Sequence, residues 1–172
     1  MALVLIAETG ASVAGANSYA TVGQADAYHE GRLHAAAWTA ANQATKEAAL
    51  VMATRFLDAN VEWAGQRIDI DQALAWPRRG VRWDGHAVQE SSLPRPVRAA
   101  TCELARLLIG SDLQADQDAD NIASINLGQS ALEIQFKDNS RTRRVPLAIG
   151  ELLEGLGATR SGTGINTRKI TR

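Results

Sequence analysis

The sequence predicts a mainly α protein: a small helical bundle with an inserted β-hairpin and extended N- and C-terminal arms. Three observations predict it. Apolar residues recur at three and four positions through two long stretches, 42–59 and 96–110. The stretch at about 122–137 switches to a period of two around a glycine. Neither end of the chain carries a helical stripe.

The opening run Met1-Ala2-Leu3-Val4-Leu5-Ile6-Ala7 is apolar, has no basic residue before it and stops at Glu8. It is too short for a membrane span and lacks the lead of a signal peptide, so it reads as a strand or packed arm. Thr21 and Gln24 form a capping-box pattern that opens a short helix, with Val22, Ala25 and Tyr28 on one face and Gly31 at its end. The clearest helix runs from Asn42 to Ala59. Its stripe is Ala44, Ala48, Val51, Met52, Phe56 and Ala59, and Asn60 offers a stop.

From Val61 to Pro96, glycines and prolines break every pattern, and three of the four tryptophans lie there. A connection this long must pack through its own side chains. Its expected anchors are Trp63, Trp76, Pro77 and Trp83, and Pro77 biases Trp76 toward an extended backbone. A third helix starts at Pro96 and carries Val97, Ala100, Thr101, Leu104, Leu107 and Leu108, with Gly110 at its end. Arg98, Glu103 and Arg106 project away from that stripe. An aspartate-rich loop leads into the hairpin, where Ile125 and Leu127, then Leu132, Ile134 and Phe136, flank Gly128-Gln129. A last helix spans Leu147 to Leu156. This places one helical domain at 1–157 and a basic tail at 158–172. The tail holds Arg160, Arg168, Lys169 and Arg172 with no acidic residue, and too little apolar content to fold alone.

Charge is balanced, 18 basic against 19 acidic residues, so nothing pulls the whole chain to nucleic acid or membrane. Cys102 has no internal partner and reads as a packed thiol. Asp116, Asp118 and Asp120 occupy the first three positions of a calcium loop, but Asn121 replaces its glycine and Leu127 its bidentate glutamate. His29, His34 and His86 lack partners at metal-ligand spacing. Neither a phosphate loop nor a nucleophile elbow is present, and Asp69 and Asp71 lie in a loop with no catalytic signature. The expectation is a protein without enzymatic activity, metal or cofactor.

Two basic clusters remain: Arg78, Arg79 and Arg82 around Trp76 and Trp83, and Arg141, Arg143 and Arg144 after the hairpin. Arginine beside aromatic rings can bind bases and phosphates. It can equally cover apolar rings or bridge to carboxylates of a neighbouring subunit.

Several strings occur in a telling order. Asn17-Ser18-Tyr19 precedes Ala25-Asp26-Ala27-Tyr28, then a Trp38 loop, Lys46-Glu47-Ala48-Ala49-Leu50, Phe56-Leu57-Asp58 and Leu74-Ala75-Trp76-Pro77-Arg78. From about Ala2 to Leu156 the chain resembles a phage family usually labelled DnaT-like single-stranded-DNA-binding proteins, whose genes look like head–tail connector genes. The resemblance implies a structural adaptor of a tailed bacteriophage, located in the virion at the head–tail interface and in the host cytoplasm during assembly. It implies a ring of about twelve copies beneath the portal protein, with a tail-side connector or tail protein below and DNA passing non-specifically through the channel. Such adaptors often grip the portal with a C-terminal extension, a role the resemblance gives to Ile165, Asn166, Thr167, Arg168, Lys169, Ile170 and Arg172. The alternative is the label taken literally, a single-stranded-DNA-binding protein of phage replication.

Overall fold

Capping chemistry sets the first helix of the computed structural model, α1 (Val22–Glu30). Thr21 Oγ1 accepts from the Gln24 amide at 3.1 Å, and Gln24 Oε1 accepts from the Thr21 amide at 3.0 Å. The structure describes residues 3–111, 122–127, 132–136 and 145–159, the two middle segments as backbone only. A single turn, α2 (Ala36–Ala40), carries Trp38 into the core where the sequence indicated a loop. One turn is too short to display a stripe.

Helix α3 (Gln43–Asn60) starts at Asn42, whose Oδ1 accepts from the Thr45 amide at 2.9 Å. Its buried face is Ala49, Leu50, Val51, Ala53, Thr54, Phe56 and Leu57. Ala44, Ala48 and Ala59, expected in the stripe, are exposed. The helix is rich in alanine on every side, so alanine marks no face, and Leu50, Phe56 and Leu57 set the true one.

Helix α4 (Arg95–Gly110) is the centre of the fold. It packs most extensively on α3 and also touches α1, α2 and α5 (Leu147–Leu152). With neighbours on several sides it buries Glu103 as well as Val97, Ala100 and Leu104. Glu103 therefore does not project into solvent. Its carboxylate takes Tyr28 Oη at 3.1 Å, Arg32 Nη1 at 2.9 Å and Arg106 Nη2 at 3.2 Å, which compensates its burial. Helix α5 ends four residues before the expected Leu156. Leu153 and Leu156 are still fully buried by the turn that follows.

The strands correct the expected fold class. The protein is mixed α and β, not a helical bundle with one hairpin. Four two-stranded antiparallel sheets occur among the described residues. β1 (Val61–Trp63) pairs with β8 (Gly157–Thr159), β2 (Gln66–Arg67) with β3 (Arg78–Arg79), and β4 (Arg82–Trp83) with β5 (His86–Ala87). β6 (Ile122–Leu127) pairs with β7 (Leu132–Phe136), with an irregularity between Ile122 and Ser124. Strands of two or three residues are too short to show a period of two. The β1–β8 pair joins residues almost a hundred positions apart, which no local pattern announces. It also places Ala158 and Thr159, assigned to the tail from sequence, inside the fold.

The N-terminal arm is held by Asn17. Its Nδ2 donates to Val4 O and its Oδ1 accepts from the Ile6 amide, both at 2.8 Å, and Ala7 bridges Ser18 in parallel.

Candidate nucleic-acid interface

Three strings far apart in sequence meet at one buried node. Tyr19 Oη donates to Asp58 Oδ1 at 2.6 Å and accepts from the Trp76 amide at 3.1 Å, while Asp58 Oδ2 accepts from the Ala75 amide at 2.9 Å. Burial, with Asp58 beside it, holds the Tyr19 hydroxyl well above the usual tyrosine range. Burial also raises the Asp58 carboxyl. The node clamps the segment containing Trp76 onto α3. Trp63 and Trp76 are buried, as is Pro77, and the two indoles meet edge to face at 5.9 Å.

Arg78 belongs to this clamp. Its guanidinium donates to Ala64 O at 2.6 Å, Gly65 O at 2.8 Å, Ala75 O at 3.1 Å and Trp63 O at 3.4 Å. Desolvation, reinforced by nearby Arg67, lowers its pKa. Four of its five N–H groups meet carbonyls, which leaves Arg78 little to offer DNA or a neighbour. Gln72, to which the sequence gives no role of its own, organises the rest of the loop. It accepts from the Ile68 and Asp69 amides and donates to Leu74 O and Pro77 O.

Beyond the clamp the same residue types turn outward. Arg67, Arg79, Arg82, Trp83 and His86 are all exposed. Trp83 is 41% exposed and so is not the packed anchor expected. It sits directly opposite His86 in the β4–β5 pair, which puts both rings on one face of the hairpin. The connecting residues, Asp84 at φ 49° and Gly85 at φ 77°, take the left-handed pair of a tight hairpin turn. Arg82 Nη2 closes it by donating to Gly85 O at 2.6 Å. An Asp-Gly pair is a strong hairpin signal, and it could have located His86 from sequence.

Trp83 rests on the turn after α5. A Cβ added at Gly155 would lie 3.3 Å from Trp83 Cδ1, so the bare glycine backbone supports the ring edge. Behind the hairpin, Gly65, Gln66, Arg79, Gly80 and Glu90 line an open groove. The result is an exposed indole and imidazole on a hairpin that also carries Arg82 and Asp84, with Arg67 and Arg79 exposed on the neighbouring β2–β3 pair and Glu90 in the groove with Arg79. Such a surface can stack on a base and neutralise phosphates.

Arg141, Arg143 and Arg144, and the tail residues Ile165, Asn166, Thr167, Arg168, Lys169, Ile170 and Arg172, lie outside the described residues. No cluster of three His, Cys, Asp or Glu side chains able to hold a metal occurs among the described ones. Cys102 is buried, and burial pushes its thiol up to about 12, leaving it protonated and inert. No described helix is long and apolar enough to cross a membrane.

No curated protein and no solved structure matches the chain. One family model does, over residues 1–172, and by that match the chain belongs to the family described as "Putative DnaT-like ssDNA binding protein".

Proposed function

We propose that this chain is a non-enzymatic protein that binds single-stranded DNA through the β4–β5 hairpin. Trp83 and His86 take a base, and Arg67, Arg79 and Arg82 take phosphates. The family's description supports the ligand. One observation carries the site: Trp38, Trp63 and Trp76 are buried, while Trp83 alone among the tryptophans is open to solvent, beside arginines. Base stacking on one aromatic ring contributes about 1–3 kcal/mol and tolerates any sequence.

The same asymmetry supplies the assay. Titration with oligothymidine should quench the fluorescence of Trp83 and leave the three buried indoles unchanged. Trp83→Ala should abolish the quenching and weaken binding by roughly 5- to 150-fold, the equivalent of that stacking energy. Undiminished affinity in Trp83→Ala would remove the hairpin as the site.

A second reading, the ring-forming head–tail adaptor, rests on apolar side chains left open to solvent. Leu33 and Ile70 are 96% and 84% exposed, and Val4 and Leu147 are also open. Neighbouring copies in a ring would cover such side chains. In that reading the portal takes the basic tail, a tail-side protein takes the opposite rim, and the arginines face the DNA channel. Sedimentation equilibrium decides it: a ring should form, and Leu33→Asp with Ile70→Asp should disperse it. A protein that stays monomeric at high concentration overturns the adaptor.

A further inference from the structure

Strand pairing brings three polar side chains to the groove behind the hairpin. Gln66 lies directly opposite Arg79 in the β2–β3 pair, so the two side chains share one face. From the other direction, the Val88 amide donates to Val81 O at 3.0 Å. That bond runs the chain after β5 back past Gly80 and delivers Glu90 to the same groove. Gly65 and Gly80 add bare backbone to its lining, and at Gly65 a Cβ would collide with Arg79 O. The groove has a volume of about 410 Å³, within the range of small-molecule sites.

Gln66, Arg79 and Glu90 are exposed, and among the described residues their side chains have no hydrogen-bond or ion-pair partner. Glu90 narrows the choice of ligand. A carboxylate accepts hydrogen bonds and donates none. The phosphates and deoxyriboses along a DNA strand also only accept, so the donors such a strand can offer Glu90 are on its base edges. Two carboxylate oxygens suit two donors side by side, and guanine has that pair in N1–H and the N2 amino group. In adenine and cytosine a ring acceptor adjoins the amino group, and in thymine two carbonyls flank the one N–H. Arg79 precedes Trp83 by four residues, a span of at most about 14 Å. The groove is therefore within reach of a base adjoining the one on the indole.

We propose that this groove reads a base beside the one stacked on Trp83 and selects guanine. Glu90 accepts from N1–H and the N2 amino group, Gln66 donates to O6, and Arg79 holds the phosphate between the two nucleotides. This rests on the single-stranded-DNA reading and adds base selectivity to a stacking contact that has none. It also gives a role to an acidic residue that would otherwise only repel the strand.

The experiment measures fluorescence anisotropy of labelled strands of about 16 nucleotides. The strands are oligothymidine and versions in which guanine, inosine or adenine is set singly among the thymines. Adenine controls for the stronger stacking of a purine. The guanine strand should bind tighter than the adenine strand by about 5-fold or more, the lower end of what a bidentate base contact supplies. Inosine keeps N1–H but lacks the amino group, and should lose most of that advantage. Glu90→Gln should erase it, whereas Trp83→Ala should weaken binding to every strand and keep the ratio. Equal affinity for guanine and adenine, an inosine strand as tight as the guanine one, or a guanine advantage that survives in Glu90→Gln overturns base reading in the groove and leaves the hairpin site standing. If no strand binds, the single-stranded-DNA reading fails and guanine selection with it.

Discussion

Arg78 and Arg82 lie four residues apart, each near a tryptophan, and their surroundings give them opposite roles. The loop from Ala64 to Arg79 folds back on itself, so Arg78 meets the carbonyls of Trp63, Ala64, Gly65 and Ala75 and becomes part of the interior. The hairpin from Arg82 to Ala87 turns outward, so Arg82 closes only its own turn. Trp76 and Trp83 divide in the same way, one fully buried and one open. Residue type alone therefore does not identify the binding surface. What decides is whether the backbone nearby has already used the side chain's donors.

The tryptophan pair gives the largest contrast. Trp76→Ala should destabilise the fold by about 3–5 kcal/mol, as expected for removing a buried large ring. Trp83→Ala should stay within about 0.5 kcal/mol of the parent in urea denaturation. Equal losses would mean that the hairpin belongs to the core and the division is false.

The arginine pair comes next. Arg78→Ala strips the donors from four carbonyls and should cost about 1–3 kcal/mol. Arg82→Ala should leave the urea midpoint nearly unchanged. An unchanged midpoint for Arg78→Ala would show that water can replace its guanidinium and that the side chain is available for ligands.

The smallest effect sharpens the comparison through pH. The folded-state pKa of Tyr19 is raised by burial and by Asp58, above its unfolded value near 10. Its contribution to stability is therefore complete below about pH 10 and is lost as pH rises, because the unfolded chain gives up the proton first. Tyr28, pushed up to about 12 by burial and Glu103, adds a parallel loss. Tyr19→Phe should flatten the alkaline decline of the midpoint, while His86→Ala should leave it unaltered. An alkaline decline identical in Tyr19→Phe would detach the node from the stability of the loop.

Legibility followed the range of the interactions. The Thr21–Gln24 box and the Asn42 cap are local, and both were readable in the chain. The stripe of α3 was misread because alanine sits on its exposed and buried faces alike, leaving too little contrast. Glu103 lies off the apolar stripe and is buried all the same, because periodicity reports one buried face, whereas α4 is covered from several sides. The β1–β8 pair was invisible, since its register is fixed only after residues 61 and 159 have been brought together. At the site, the tryptophans and arginines were visible as a group. Their division into interior and surface depends on carbonyls folded back from residues 63–65, which carry no side-chain signal. His86 was missed although Asp84-Gly85 marked the turn that pairs it with Trp83.

The contact between α4 and α5 has a practical consequence. These helices pack directly on each other, so the two ends of the interval 112–144 are anchored by the core whatever lies between them. The entropy of joining those two anchors therefore depends only weakly on the length of chain between them, since each doubling costs about 0.6 kcal/mol. A reporter peptide inserted between the two anchors is therefore expected to leave the packing of α4 on α5 intact.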